Sequence, residues 1–272
     1  TTLFRSDGVL DCSYQDWELI IVDDVSSDGS VAIAQRYEQK DARIKVYVNE
    51  KNLGDYPNRN KAASYAKGKY IKYLDADDFI YPHGLEIMVH TMEQFPEAAL
   101  GISQKVVEDV KPYPFVMQPK ETFKREFLKR GVLGLGPTGT IIRRDAFETL
   151  GGFTGTRYIG DTEMWYKIAL IYPVVKMQDE LIFWRQHDDQ EITKGQESFF
   201  YLENSYLHCI KTLNNPKIPL SPKEIQLAKK NIHKRFAKNI FRLVLINKKP
   251  KKAYQIMKAT GFSVIKLLKA FG

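Results

Sequence analysis

The chain has 272 residues, of which 43% are hydrophobic and 12% aromatic; this suffices for one large α/β domain with an appended element and excludes a disordered chain. The formal net charge of +8 is unevenly spread, because residues 221–272 hold 14 Lys/Arg against one acidic residue, Glu224, leaving +13 there and −5 in the first 220 residues. The basic character belongs to a tail without a nucleic-acid recognition motif, on a mildly acidic body, so nucleic acid is not an expected partner.

Cys12 and Cys209 show neither metal-ligand nor disulfide-framework spacing, as fits a reducing compartment. No apolar run reaches the roughly 18 residues of a membrane span, and the N-terminus lacks a signal-peptide pattern. A cytoplasmic protein is the expectation.

Along the chain, no strand is legible before Glu18, and Thr1 to Gln15 is too short for a strand, a loop and a full helix. The chain is therefore expected to begin inside a truncated first strand or to lack residues among its first 15 positions. Apolar, β-branched runs at Glu18–Val22, Ile44–Val48 and Tyr70–Leu74 then alternate with helical stretches near Val31–Gln39 and Asn58–Lys67. That alternation predicts βαβ units and a mostly parallel sheet flanked by helices. Pro57 suits the first turn of the second helix and Gly68 the position past its end. A helix over Pro82–Phe95 and a strand at Ala98–Ser103 follow, and the pattern loosens through Lys111–Pro119. It resumes with a helix at Glu121–Lys129, a strand at Thr140–Arg143, a helix at Thr162–Ile171 and a strand at Leu181–Arg185, which complete the sheet.

Residues 197–272 read as helical. In Lys223–Ile246, Ile225, Ile232, Phe236, Ile240 and Leu243 fall at helical spacing, opposite Lys230, Lys234, Lys238 and Arg242. Lys251–Phe271 repeats the pattern with Ile256, Met257, Val264, Ile265, Leu267, Leu268 and Phe271. Such a tail either packs a solvated basic face on the catalytic body or contacts an anionic membrane surface.

Three motifs carry chemistry. Leu74-Asp75-Ala76-Asp77-Asp78 sets three carboxylates in four residues after an apolar strand. Carboxylates on such a strand-end loop can hold a hard divalent cation, although a solvated turn capping the next helix would look the same. An EF-hand fails, since Phe79 and Ile80 stand where a ligand and glycine are needed. Val22-Asp23-Asp24-Val25-Ser26-Ser27-Asp28-Gly29 also follows a strand; its carboxylates can accept hydrogen bonds from a base or ribose, and Ser26, Ser27 or Asp28 can cap the next helix. Asn52-Leu53-Gly54 precedes Asn58-Arg59-Asn60, where an arginine could meet a phosphate or a base.

In this order and spacing the motifs resemble the family-two inverting glycosyltransferases of the GT-A fold, over Gln15 to about Thr193. The resemblance implies metal-dependent transfer of a sugar from a nucleotide-diphospho-sugar, with uridine the base most frequent in the family, to a glycan or lipid-linked acceptor in cell-surface polysaccharide synthesis. It assigns Asp24, with Asp23, to the base and ribose, Asn52 and Arg59 to the nucleotide pocket, and Asp75 to the ribose or donor sugar. Asp77 becomes the metal ligand, with Asp78 not separated from it. Gly151-Gly152-Phe153 resembles an acceptor-side turn. Gly160-Asp161-Thr162-Glu163-Met164-Trp165 resembles the Glu-Asp-x-x-x-Trp segment, making Asp161 the catalytic base, with glycine where the family has glutamate unless Glu163 replaces it. Trp184-Arg185-Gln186-His187 resembles the Arg-x-His segment, whose histidine completes the metal site. Oxygen ligands plus an imidazole suit Mn²⁺ or Mg²⁺. The implied domains are a catalytic 1–196, divided near 103 into donor and acceptor halves, and a basic helical 197–272.

Gly134-Leu135-Gly136-Pro137-Thr138-Gly139 matches G-x-G-x-x-G, but the β-branched run Thr140–Arg143 follows where a dinucleotide site needs a helix; a flexible loop near the acceptor is expected. His83, His90, His208 and His233 lack ligand spacing. A sugar nucleotidyltransferase would show a Gly- and basic-rich triphosphate loop near the start, which is absent from these residues. A non-catalytic nucleotide-sugar binder is the remaining alternative, kept open by Gly160.

Overall fold

The computed structural model describes residues 2–75, 77–104, 111–185 and 199–269, with side chains from Ser6 onward. In chain order the elements are α1 (Thr2–Leu10), β1 (Leu19–Asp23), α2 (Ser30–Lys40), β2 (Ile44–Val48), α3 (Asp55–Tyr65), β3 (Tyr70–Ile71), β4 (Phe79–Ile80), α4 (Gly84–Gln94), β5 (Leu100–Ser103), β6 (Phe115–Met117), α5 (Pro119–Leu128), β7 (Thr140–Arg143), α6 (Arg144–Thr149), α7 (Gly160–Ala169), β8 (Val174–Met177), β9 (Ile182–Phe183), α8 (Phe200–Leu213), α9 (Pro222–Leu245), α10 (Pro250–Thr260) and α11 (Val264–Lys269). They fall into two compact units, one of Thr1–Pro119 with Leu133–Gln186 and one of Lys120–Val132 with His187–Gly272.

In the first unit β1 and β2 pair in parallel, Leu19 opposite Ile44 through Asp23 opposite Val48, with α2 as the crossover. This brings Asp23 and Asp24 to a carboxyl end, where α/β sheets bind ligands. A five-stranded sheet runs β3-β7-β5-β8-β6, and β4 pairs separately with β9. The α/β class with flanking helices stands. Strand sense corrects the expectation of a mostly parallel sheet: among the described residues β1–β2 and β5–β8 are parallel and the other four ladders antiparallel. A β-α-β alternation places a parallel neighbour where consecutive strands pair through a crossover, and among the described residues only β1 and β2 do so; β5 and β8 run parallel without being consecutive. Met88, Val89, Met92, Ala98, Ile141, Val175, Met177 and Leu181 form a core cluster against this sheet. Gly101 of β5 sits inside it, where a Cβ would lie 2.4 Å from Met177 Cε and 2.8 Å from Ile141 Cγ2.

Several local readings are corrected. Thr2–Leu10 is a helix rather than part of a truncated strand, and its Asp7 accepts the Tyr37 hydroxyl at 2.8 Å, tying α1 to α2. Gly54, at φ +84°, turns the chain into α3 three residues earlier than expected; the helix ends at Tyr65, and the Gly68 amide instead donates to the Glu18 carboxylate at 2.8 Å. The β3 ladder covers only Tyr70 and Ile71, short of Leu74. The segment 137–139 is a buried 3-10 turn, where a flexible loop was expected.

In the second unit α9 opens with a capping box: Ser221 N–H donates to Glu224 at 2.8 Å, and Glu224 N–H to Ser221 Oγ at 3.3 Å. Ala228, Ile232, Phe236, Ile240 and Leu243 are buried, while Lys230, Lys234, Lys238 and Arg242 are exposed, as the periodicity requires. Lys124 on α5 pairs with Glu224 at 2.8 Å. Tyr206, Phe236 and Phe262 form a ring cluster with centroids 4.2 to 5.6 Å apart. The basic segment 251–271 is not one helix. Gly261, at φ +62°, breaks it, so Phe262 turns inward while Val264, Ile265 and Leu268 remain 61–67% exposed. Among the described residues no helix is long and apolar enough to cross a membrane.

Candidate active site

At the end of β1, Asp24 is already engaged by the loop it was expected to share with a ligand. Its Oδ1 accepts Leu53 N–H at 2.8 Å and Asn49 Nδ2 at 2.7 Å, its Oδ2 accepts Gly54 N–H at 2.8 Å, and Asn52 Nδ2 donates to its backbone carbonyl at 2.9 Å. Burial works to raise its pKa, but the Leu53, Asn49 and Gly54 donors outweigh it and hold the carboxylate below its usual range. Asp24 thus shapes the Asn52–Gly54 turn. Asp23 accepts Ser26 N–H at 2.8 Å, and Asp28 accepts Ser30 N–H at 2.9 Å at the start of α2.

The adjoining helix α3 carries three polar anchors on successive residues. Asn58 donates to the Val22 carbonyl at 3.1 Å. Arg59 reaches Asp55 at 2.6 Å and Asp75 at 2.6 Å, and those two carboxylates keep the guanidinium charged against its burial. Asn60 makes two bonds of 2.9 Å to the Phe153 backbone, fixing the glycine turn; a Cβ on Gly152, at φ +65°, would lie 2.6 Å from Asn60 Oδ1. The arginine expected to meet a phosphate or base is therefore already paired with two carboxylates.

Thr138, from the Gly-rich run, organises the acidic turn. Its Oγ1 accepts Asp75 N–H at 3.1 Å and hydrogen-bonds Asp78, while its carbonyl accepts the Lys72 ammonium, which also donates to the Tyr73 carbonyl at 2.8 Å. Burial pushes Lys72 down to about 7, against the pull of Asp75 and Asp78. Asp78 is 4% exposed and accepts Arg185 N–H at 3.2 Å; burial, opposed by Thr138 and reinforced by Asp75 and Asp77, lifts it to about 6. Asp77 is half-buried.

Asp161 is the second residue of α7. It accepts Thr162 N–H at 2.6 Å, lies beside the Tyr56 hydroxyl, and feels the Arg59 charge. Burial lifts its carboxyl to about 6 despite these contacts. Glu163 is bonded to the Thr154 hydroxyl. Trp165 is fully buried and donates to the Leu135 carbonyl at 2.9 Å, anchoring the Gly-rich run to α7. Hydrogen bonds thus tie Asp24 to the Asn52–Gly54 turn, and the next residue along the chain, Asp55, shares Arg59 with Asp75, whose amide rests on Thr138; Asp161 feels the same arginine.

Sequence reasoning missed Tyr56, Lys72, Thr138 and Asn49. The signal for Thr138 was its Gly-rich run, and for Tyr56 its place between two motif members. Among the described residues no three His, Cys, Asp or Glu side chains converge as a closed metal cage. An ion shared with substrate phosphates needs only one or two carboxylates, and the turn at 75–78 supplies hard oxygens of that kind. His187, with Gln186, lies outside the described residues.

The family model described as glycosyl transferase family 2 matches residues 5–151. The putative teichuronic acid biosynthesis glycosyltransferase TuaG of Bacillus subtilis is 51% identical over 71 residues, which are 26% of this chain and 28% of that protein. The putative glycosyltransferase EpsE of the same organism is 27% identical over 230 residues, 79% of this chain and 78% of that one. Among solved structures, S. aureus TarS 1-349 in complex with UDP-GlcNAc superposes with a TM-score of 0.73 at 16% identity, over 99% of this chain and 77% of the other, a likeness of fold alone. With the motifs in this order on this fold, the family match across more than half the chain makes the protein a member of glycosyl transferase family 2.

Proposed function

We propose that this chain moves one sugar from a nucleotide-diphospho-sugar, a UDP-sugar, to a hydroxyl of a glycan or lipid-linked acceptor, inverting the anomeric centre, in cell-surface polysaccharide synthesis. The observation that carries this reading is the pair of bonded sets on adjoining chain, Asp24 with the Asn52–Gly54 turn and Arg59 with Asp55 and Asp75, with Asp161 under the influence of that arginine. Asp24 with Asp23 and Asn52 frames the base and ribose, Arg59 and Asp75 hold the donor side, and Asp161 faces the acceptor. The TarS complex supports uridine, and the teichuronic acid relative supports a polysaccharide product.

Asp77 would hold Mn²⁺ or Mg²⁺, and His187 would complete the site. Asp78 is turned inward onto Thr138 and the Arg185 amide, which favours Asp77 as the ligand. A bound ion supplies charge neutralisation for the departing diphosphate. The chain's own residues do the rest. Asp161 takes the proton of the acceptor hydroxyl onto a carboxylate oxygen as the new C–O bond forms opposite the leaving group. With its pKa near 6, that carboxylate is ionised at neutral pH and still basic enough to accept the proton.

Residues 1–196 make the catalytic part, with donor and acceptor halves meeting near 103, and 197–272 the basic extension. We place the protein in the cytoplasm, held at the inner membrane face by residues 221–272. The support is the exposed Lys230, Lys234, Lys238 and Arg242 of α9, joined by the exposed Val264, Ile265 and Leu268 beside Lys266 and Lys269 of α11.

The reading is tested by a thermal-shift panel of nucleoside diphosphates with and without Mn²⁺. UDP with Mn²⁺ should raise the melting temperature selectively, as a ligand of the native state alone must. No shift with any nucleoside diphosphate would overturn it.

A further inference from the structure

Gly160 is the position at which the chain departs from the segment it resembles, and its surroundings explain the glycine. A Cβ there would lie 2.7, 2.8 and 2.9 Å from three carbons of the Tyr56 ring. Those are ring atoms of a packed side chain: Tyr56 is 4% exposed and lies 5.2 Å, centroid to centroid, from Phe153. Nothing larger than hydrogen fits at 160 while the ring stays in place.

The ring is held there with its hydroxyl on Asp161. The phenol lies beside both the Asp161 carboxylate, whose ionised form it favours, and the Asp161 backbone N–H. That N–H belongs to the first turn of α7, where amides lack intrahelical partners, so one hydroxyl is placed to serve an orphan donor and the side chain of the same residue.

We propose that Tyr56 is the positioning residue for Asp161: its buried phenol clamps the carboxylate that takes the acceptor proton, and Gly160 is glycine to admit its ring. The inference rests on the reading of Asp161 as the base. Burial, then the Asp161 charge, drives the phenol pKa well above its ordinary value, so the hydroxyl remains a donor at every working pH. The charged groups around the pair are Arg59 beside Asp161 and Asp55 beside Tyr56; Thr162 completes the carboxylate's hydrogen bonds from α7 itself. In this arrangement Tyr56 does for the carboxylate what an adjacent acidic residue cannot do from a glycine.

The test uses the full chain with Mn²⁺ and the best-turned-over of UDP-glucose, UDP-galactose, UDP-GlcNAc and UDP-GalNAc, reading UDP release against pH. Tyr56→Phe keeps the ring and its packing and removes only the hydroxyl. It should lower kcat about ten- to a hundredfold, the range of a hydrogen bond to a charged group, and leave the donor KM within about twofold. Losing a bond that favours the ionised form should also move the acid limb of the kcat profile up by roughly one pH unit. Gly160→Ala, which drives a methyl into the ring, should give the same signature. A Tyr56→Phe enzyme with wild-type kcat and an unmoved acid limb would overturn the inference, as would a loss confined to KM. Near-full turnover in Asp161→Asn would instead remove the base assignment, and the inference with it.

Discussion

Asp161 combines two demands that pull its pKa in opposite directions. Ionisation at neutral pH is needed for proton transfer, yet burial favours the protonated form and lifts the carboxyl from an ordinary 3.8 to about 6. The sign of the consequence is definite. A base must be deprotonated to act, so kcat should fall as pH drops through about 6, with a single-proton slope. Because the folded-state pKa is raised, the protonated form is the one the fold favours, and stability is lost as pH rises through the same range. Asp161→Asn should therefore lose about a hundred- to ten-thousandfold in rate while melting at pH 7.5 no lower than wild type. Rate profiles and melting curves of the two proteins check both halves.

At the scale of elements, the site is a set of short segments fastened to one another by side chains. The acidic turn after β3 is held by Thr138 Oγ1 and by the carbonyl of the same residue through Lys72. Thr138→Val removes the hydroxyl at nearly constant volume and leaves the Asp75 amide without its acceptor, a loss of roughly 1–3 kcal/mol for a buried group. We expect a higher donor KM and a lower melting temperature, read by kinetics and calorimetry; wild-type values for both would show that the turn needs no such fastening. Other elements were only partly legible. The ladder β1–β2 shows plainly in apolar runs bounded by acidic and Asn-x-Gly loops. β8 does not, because Lys176 interrupts Val174–Met177; it is buried nonetheless, its ammonium bonded to the Gln104 carbonyl. β6 follows a Pro-rich stretch that reads as loop. For Tyr56 the sequence shows only its place between two motif members; its meaning depends on Gly160, brought to it only by the fold.

At the scale of the molecule, the uneven charge read from composition corresponds to a helical unit whose basic faces are exposed. The helical break at Gly261 was missed, and it matters, since one continuous amphipathic helix would have kept Val264, Ile265 and Leu268 on its apolar face. Exposed beside lysines, these residues suit a shallow apolar insertion into an anionic bilayer. Sedimentation of the full chain with phosphatidylglycerol-containing vesicles should show binding that Ile265→Ser with Leu268→Ser weakens; equal partitioning of variant and parent would count against the contact.

The proposed transfer requires the carboxylates at 24, 77 and 161 to surround a single donor pocket. A crystal structure of the chain with UDP and Mn²⁺ tests it most directly. Uracil is expected at the Asp24–Asn52 turn, the ion on Asp77 against the diphosphate, and Asp161 across the space left for the sugar. A nucleotide bound elsewhere, or one that leaves Asp161 turned away from the diphosphate, would contradict it.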